Sequence, residues 1–411
     1  MREAVIIVDP FSSGAAYAPA FAERGYDCIA VRSSPDISPR IAKAFWPQHF
    51  VDHTLFDIEA ALARWTKQPV KAVVAGCEMG VSAAEALASR LGLPGNSPDT
   101  TPLRRYKYDM QRALASAGLA HIPSMLIRQE SEVDALLPQI HEGSWVVKPL
   151  NSAWTEGVMF AQGRDGVANA LKRCAWNRVN DLGEAHLGFV VQPFIQGREY
   201  VVDLVAHPGG ITIASVCSYR KEARNGSNFV YVGLDILDPH DPCHAALTDY
   251  AIRAARVLGL RVGPLHMELF ASADGPVMIE AGARLHGGVA PELFRDCYAP
   301  HLLELAVNAH LGGTVPTAPA QRVQHGQIVF LVNDQPCRFA GSGEDFLARL
   351  RALPSYRGHR LFVTEGDRIP CTVDLATCPG IVWLAGQDVQ QIESDASACR
   401  ALRLEQVPAL P

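Results

Sequence analysis

The chain has 411 residues, 48% of them apolar and 19% charged, with a net charge of −6 at pH 7. That length suffices for two or three domains with sizeable cores, and a weakly negative chain without a basic run argues against a nucleic acid or a membrane surface as partner. No apolar stretch approaches the ~20 residues that span a bilayer, and ten cysteines without a C-x-x-C pair read as reduced thiols of a cytoplasmic protein.

The N-terminus MREAVIIVDP is too short and strand-like for a secretory signal. AVIIV at 4–8, a helical stretch near Ala16–Arg24 and the strand CIAV form a strand–helix–strand opening. Lys71–Ala75 and the helix Val81–Leu91 repeat it, so a parallel sheet flanked by helices is expected. The Ser12-Ser13-Gly14 turn suits a tight strand-to-helix passage. No G-x-G-x-x-G motif is present, which disfavours a dinucleotide-dependent oxidoreductase. Glu78, after Gly76-Cys77, has two accounts: it faces a substrate cleft, or it is a helix-start acid favoured by the dipole. Gly92–Pro102 is dense in Gly, Pro, Asn and Thr and reads as a linker. A helix carrying Arg105, Lys107 and Arg112 follows over Arg104–Ala117.

SWVVK at 144–148 reads as a strand delivering Lys148 at its end. The loop Asn151–Gly157 follows, with Ser152, Thr155 and Gly157 suited to closing over phosphates through hydroxyl and backbone N–H donors. GFVVQ at 188–192 and EYVVDLV at 199–205 are strands joined by a connector. Its backbone suits a purine edge, with Phe194 and Ile195 packing on its faces, and Glu199 is placed to accept from ribose hydroxyls. Ile211–Arg220 continues the sheet, Lys221 falls in a polar loop with Gly226, and Ala245–Leu258 is an amphipathic helix.

Pro264–Phe270 and Pro276–Ala281 are apolar runs separated by Ala273-Asp274-Gly275. A three-residue hairpin loop there pairs Ser272 with Pro276 and sets Glu268 opposite Glu280. Opposed carboxylates on neighbouring strands, ~5 Å apart at Cβ, among Leu265, Met267, Leu269, Val277 and Met278 call for a counter-ion. A hard divalent cation supplies one, and Mg²⁺ commonly takes one or two carboxylates plus substrate phosphates. Arg284 adds a bidentate anion donor, and His286-Gly287-Gly288 forms a turn bordering a substrate pocket. His266 shares the acidic face and reads as a hydrogen-bonded structural or substrate-contacting residue. Lys148, Lys221 and Arg284 are the cationic candidates for stabilising a transferring phosphoryl group. Pro291–Leu311 is helical, and QIVFLV, RLFVTEG and GIVWLAG are expected as three C-terminal strands with helices between.

These residues resemble the ATP-grasp superfamily of carboxylate–amine ligases over roughly Val5–Leu311, most specifically in the hairpin EL–IEAGAR. Bacterial amino-acid and dipeptide ligases of the dapdiamide-synthetase kind are similar in VDPFSSG, in the block GCEMGVSAAEALASRLGLPGNSP and in the YRK…NGS.FVY segment. The resemblance implies an α/β and α+β chain: a Rossmann-like pre-ATP-grasp domain (1–103), two ATP-grasp halves (104–200 with the phosphate loop, 201–318 with the metal hairpin) and a small C-terminal α+β module (319–411). It implies ATP and Mg²⁺ (one or two ions, or Mn²⁺) as cofactors. Lys107 and Lys148 would then contact the nucleotide phosphates, and Gln192, Phe194, Ile195 and Glu199 would form the adenosine site. Glu268 and Glu280 would bind metal, and Arg284 would stabilise a phosphorylated intermediate. The implied activity joins a carboxylate, activated as an acyl phosphate, to an amine, with amino acids as small-molecule substrates and a homodimer as the suggested assembly. This chain departs from the family in Gln192 for a common acid, Tyr106 for an aspartate, Gly282 for a frequent Asn, and a bulkier Trp154-Thr155 phosphate loop. Two other readings share the scaffold: an ATP-dependent carboxylase, and a nucleotide-binding regulator without catalysis, for which Gly282 is the best sign.

Overall fold

A computed structural model describes residues 2–35, 45–55, 57–65, 69–152, 156–180, 183–339, 343–402 and 406–408. The first sheet holds β1 (Ala4–Val8), β2 (Asp27–Arg32), β3 (Asp52–Leu55) and β4 (Val70–Ala75) in the order β3-β2-β1-β4, all parallel. Every residue of β1 is fully buried, as expected of a continuous apolar run covered on both faces. β1 connects onward to β2 on one side and has β4 on the other. The crevice at the carboxyl ends of β1 and β4 is therefore the topological switch point, where open α/β sheets bind ligands.

Gly92–Pro102 is an ordered connection rather than a free linker, because it carries a 3-10 turn, Pro98–Arg104. Arg104 is fully buried. It donates to both oxygens of Glu85 at 2.8 Å and to Leu258 O at 2.7 Å, tying the segment to elements on both sides. The following helix, Lys107–Ser116, begins three residues later than the sequence suggests.

A four-stranded antiparallel sheet of β5 (Met125–Ile127), β6 (Ser144–Pro149), β7 (Met159–Gln162) and β8 (Phe189–Pro193) runs in the order β5-β8-β6-β7. An eight-stranded antiparallel sheet opposes it across the cleft. It contains β9 (Arg198–His207), β10 (Gly210–Arg224), β11 (Ser227–Leu237), β12 (Gly263–Ser272) and β13 (Gly275–Gly282). Its order is β13-β12-β9-β10-β11, continued by His325–Phe330, Gly380–Gly386 and Tyr356–Leu361. The C-terminal strands thus extend the sheet that carries the acidic hairpin.

Three local expectations need correction. Lys221 lies inside β10, not in a loop, because the turn between β10 and β11 is only Asn225-Gly226. Both turn residues have positive φ (55° and 80°), the geometry that Asn-Gly favours in a two-residue hairpin. The helical span 291–311 is two helices, Ala290–Cys297 and Leu302–Leu311, and Pro300, which has no N–H to donate, sits in the break. The second C-terminal strand is YRGHRL rather than RLFVTEG.

The helix Leu302–Leu311 joins the layers. Leu302, Leu305 and Ala306 share one apolar core with Val5, Ile7 and Tyr17 of the first sheet region and with Val201 and Val205 of β9. Among the described residues no helix is long and apolar enough to cross a membrane.

Candidate active site

The switch-point crevice delivers Glu78. The turn Gly76-Cys77 carries the chain off the end of β4, and Glu78 starts a short 3-10 turn there. Its side chain reaches across to two arginines. Arg105 donates to Oε1 at 2.6 Å and Arg284 to Oε2 at 3.2 Å. Burial alone would raise the Glu78 carboxyl, but the two guanidinium groups outweigh it and hold the group below its ordinary value. Glu78 both opens the turn that leads into the helix Val81–Arg90 and lines a pocket with Glu280 and Arg284, so this placement is compatible with both sequence accounts.

Arg105 is buried, and its second nitrogen contacts both oxygens of Glu184 at 2.6 and 2.8 Å. Glu184 in turn accepts from Asn151 at the base of the phosphate loop (3.3 Å). Sequence reasoning noted Arg105 only as a charge on a helix. Its partner lies 79 residues away, beyond the reach of local pattern.

In the acidic hairpin, Glu268 and Glu280 are direct register partners as anticipated, although by a different route. The turn has two residues and pairs Ser272 with Gly275. A β-bulge between the Glu268 and Leu269 pairs, where Ile279 is the extra residue, then restores the alignment. Bulges of this kind re-aim side chains beside active sites. Lys107 sits at the head of its helix with Nζ 3.0 Å from Glu280 and 2.9 Å from Ser152 O. Glu268 meets His266 Nε2 at 3.5 Å. Burial pushes the Glu268 carboxyl up, and His266, Lys221 and Arg284 pull it down to about 2.

Lys221 Nζ contacts Glu199 at 2.6 Å and lies 4.2 Å from the centre of the Tyr231 ring, with Tyr219 and Phe229 also within 6 Å. Glu199 is buried, its other oxygen has no hydrogen-bond partner, and burial leaves its carboxyl above the ordinary value. Phe194 packs edge-on to Phe160 and stacks on Phe229, with Ile195 next along the same connector. The Gln192 side chain donates to Ser124 Oγ at 2.7 Å, so it is engaged inside the sheet rather than turned to the cleft. Ser152 is buried with its hydroxyl on Glu156 O at 3.3 Å. Gly157 lies against the Pro149 ring. Thr155 and Trp154 fall outside the described residues.

Behind the hairpin is a cluster that the sequence did not disclose. Asp203, fully buried on β9, accepts from His266 Nδ1 at 2.9 Å, from His286 Nδ1 at 2.9 Å and from Ser215 Oγ at 2.5 Å. His266 lines the pocket that Glu78, Lys107, Glu280 and Arg284 also line. The His286 side chain points inward to Asp203 instead, leaving Gly287 and Gly288 of the turn nearest the first domain, where Gly288 N lies 3.4 Å from Ser12 Oγ.

Opposed Glu268 and Glu280 form an all-oxygen pair whose chemistry fits a hard cation such as Mg²⁺ or Mn²⁺. Lys148 and Lys107 are both buried beside these carboxylates. Burial, with a smaller push from Lys107, lowers Lys148 to about 8 despite the nearby carboxylates. The positive charge on Lys148 is then lost as pH rises through that value. The apparent Kd for ATP·Mg²⁺, read by calorimetry, should weaken up to tenfold per pH unit above about 8. Lys148→Arg should flatten the profile, and an equally steep profile in that variant would count against Lys148 as its source.

Comparison with known proteins agrees with this geometry. A family model described as an ATP-grasp domain matches residues 142–292. Dapdiamide A synthase of Enterobacter agglomerans is 28% identical over 396 residues, 93% of this chain and 91% of that protein. The crystal structure of an L-amino acid ligase from Bacillus licheniformis superposes with a TM-score of 0.78 at 18% identity, covering 100% of both chains. That of N5-carboxyaminoimidazole ribonucleotide synthetase from Thermotoga maritima gives 0.70 at 13% identity, again covering both chains in full. These last two establish the shared fold. Residues 142–292 match an ATP-grasp domain, and the likenesses along the chain support an ATP-grasp ligase that forms C–N bonds.

Proposed function

We propose that the protein activates the carboxylate of an amino acid as an acyl phosphate and joins it to the amine of a second amino acid, releasing ADP and phosphate. The observation that carries this reading is the meeting, in one pocket, of Glu280 and Lys107 with the Glu78–Arg284 ion pair, with Glu268 the cross-strand partner of Glu280. The first group suits a nucleotide and the second suits a zwitterion. An acid for an ammonium and an arginine for a carboxylate or phosphoryl oxygen stand side by side. Kinship with Dapdiamide A synthase over nearly the whole chain supports amino-acid substrates.

In the first step a substrate carboxylate oxygen attacks the γ-phosphorus, the bond to the bridging oxygen breaks, and ADP leaves. In the second the amine nitrogen attacks the acyl carbon, the C–O bond to phosphate breaks, and the nitrogen sheds its proton. Lys107 and Lys148 orient the phosphates, and Arg284 faces the charge that develops on the acyl phosphate. Glu199 and Lys221 hold the ribose side, with Phe194 and Ile195 against the base. Ser152 and Gly157 stand on the phosphate side, while Glu78 and the His286-Gly287-Gly288 turn border the amino-acid pocket. Mg²⁺, held by Glu268 and Glu280, would neutralise phosphate charge and polarise the transferring group. Positioning and electrostatics supply most of the rate in phosphoryl transfer, so no group here has to act as a nucleophile.

The test is ADP and phosphate release from ATP·Mg²⁺ across a matrix of amino-acid pairs, with and without bicarbonate. Release that requires two amino acids is expected. Release that requires bicarbonate would make the protein a carboxylase, and nucleotide binding without release under any condition would make it a regulator.

A further inference from the structure

Asp203 occupies a position where a charge is expensive. β9 is an interior strand of the eight-stranded sheet, and Val201, Val202, Leu204 and Val205 on either side of Asp203 are fully buried. An uncompensated carboxylate there would cost several kcal/mol. Compensation comes from a polar row across the sheet, because the register sets Ser215 on one side of Asp203 and His266 on the other, with Gly282 beyond His266. His286 reaches the same carboxylate from the turn after β13.

The protonation pattern follows from the hydrogen bonds. Burial pushes the Asp203 carboxyl up, but His286 and His266 outweigh it and hold the group well below its ordinary range, and an ionised carboxylate only accepts. Both imidazoles therefore carry hydrogen on Nδ1, and both rings are held edge to face with centres 4.3 Å apart. His266 Nε2 is left aimed at Glu268, and His286 is left anchoring the turn that holds Gly287 and Gly288.

We propose that Asp203 is a positioning residue that couples the divalent-cation hairpin to the substrate-side turn through one shared carboxylate. It sets the orientation of Glu268 by way of His266 and the placement of the 285–288 turn by way of His286. Outer partners of this kind usually change metal affinity or activity ~10–100-fold when removed. The consequence particular to this arrangement is that His286, which touches neither Glu268 nor Glu280, influences cation binding. The inference rests on reading Glu268 and Glu280 as the cation site.

The experiment uses the full chain with Mn²⁺ as the probe in saturating ADP, its affinity measured by electron paramagnetic resonance. Histidine-labelled ¹H–¹⁵N spectra report the two Nδ1–H groups. Asp203→Asn is expected to remove the Nδ1–H signal of at least one ring and to weaken Mn²⁺ about tenfold or more. His286→Asn is expected to weaken Mn²⁺ about fivefold. Val205→Ala, a cavity on the same strand, should lower the melting temperature and leave Mn²⁺ affinity within twofold. His286→Asn that folds and binds Mn²⁺ as the wild type does would overturn the coupling, as would a Val205→Ala loss equal to that of Asp203→Asn. If Asp203→Asn does not fold, His286→Asn alone decides. Wild-type protein that binds no Mn²⁺ with ADP would overturn the cation-site reading and the inference with it.

Discussion

Glu280→Gln is expected to lower the rate of ADP release by about a thousandfold or more, which corresponds to ~4 kcal/mol of transition-state stabilisation. The substitution keeps the shape of the side chain and removes the charge opposite Glu268, so a cation would lose one of its two facing carboxylates. It also leaves Lys107, otherwise 3.0 Å from Glu280 and largely buried, without its counter-charge. Glu280 is partly exposed, with 28% of its side-chain surface accessible, so stability should change less than activity. Coupled detection of ADP beside a thermal melt separates the two. Activity within tenfold of wild type would remove Glu280 from the metal site. Glu268→Gln should behave alike but cost more stability, because Glu268 is also tied to His266.

Gly282→Asn should impair the enzyme even though Asn is frequent at this position in the family that the sequence resembles. A Cβ on Gly282 would stand 2.3 Å from Glu78 Oε2 and 3.4 Å from Arg284 Nε. The Glu78 carboxylate is the end of a side chain but is not free to retreat, since Arg105 and Arg284 hold its two oxygens. Displacing it leaves two buried or half-buried guanidinium groups poorly matched, at ~1.5–3 kcal/mol for a charged hydrogen bond. The expected result is a 10–100-fold fall in kcat/KM for the amino-acid substrates, with the Kd for ATP within about threefold of wild type. Pairing the substitution with Glu78→Ala relieves the collision, so a structure or melt of the double variant should look nearer to wild type while amino-acid KM stays high. An active Gly282→Asn single variant would show that the space near Glu78 is not what requires glycine. In this chain Gly282 therefore has an explanation other than decay: the first domain inserts a carboxylate where a side chain would stand.

Much of the layout was legible from short-range pattern. AVIIV and KAVVA read as strands because continuous apolar runs bounded by turn residues leave few alternatives, and they are parallel neighbours. The acidic hairpin was legible because Glu268 and Glu280 are too charged for their apolar surroundings without a purpose. Its details were less so. The turn was expected with one residue too many, and a bulge cancelled the error; bulges answer to the twist and packing of neighbouring strands, which a local reading does not contain. The polarity of YRKEARNGSN alone reads as a loop around Lys221. It is a strand because β10 and β11 continue past the sheet as a two-stranded arm held at its tip. Asn225 donates there to Asn333 O and Thr372 O, and Arg224 pairs with Asp334.

By itself the sequence determined most element types and the opposition of Glu268 and Glu280 across a hairpin, and it suggested the kind of ligand that such a pair of carboxylates can hold. These follow from periodicities of two and 3.6 residues and from the cost of unpaired charge, both of which are local. Only the tertiary structure decided what each charge faces. Glu78 meets Arg105 and Arg284 across 27 and 206 residues of chain, Arg105 meets Glu184 across 79, and Asp203 meets His286 across 83. Ion pairs and shared carboxylates are set by which strand ends converge in the cleft, and that convergence depends on sheet order and core packing rather than on neighbours in sequence.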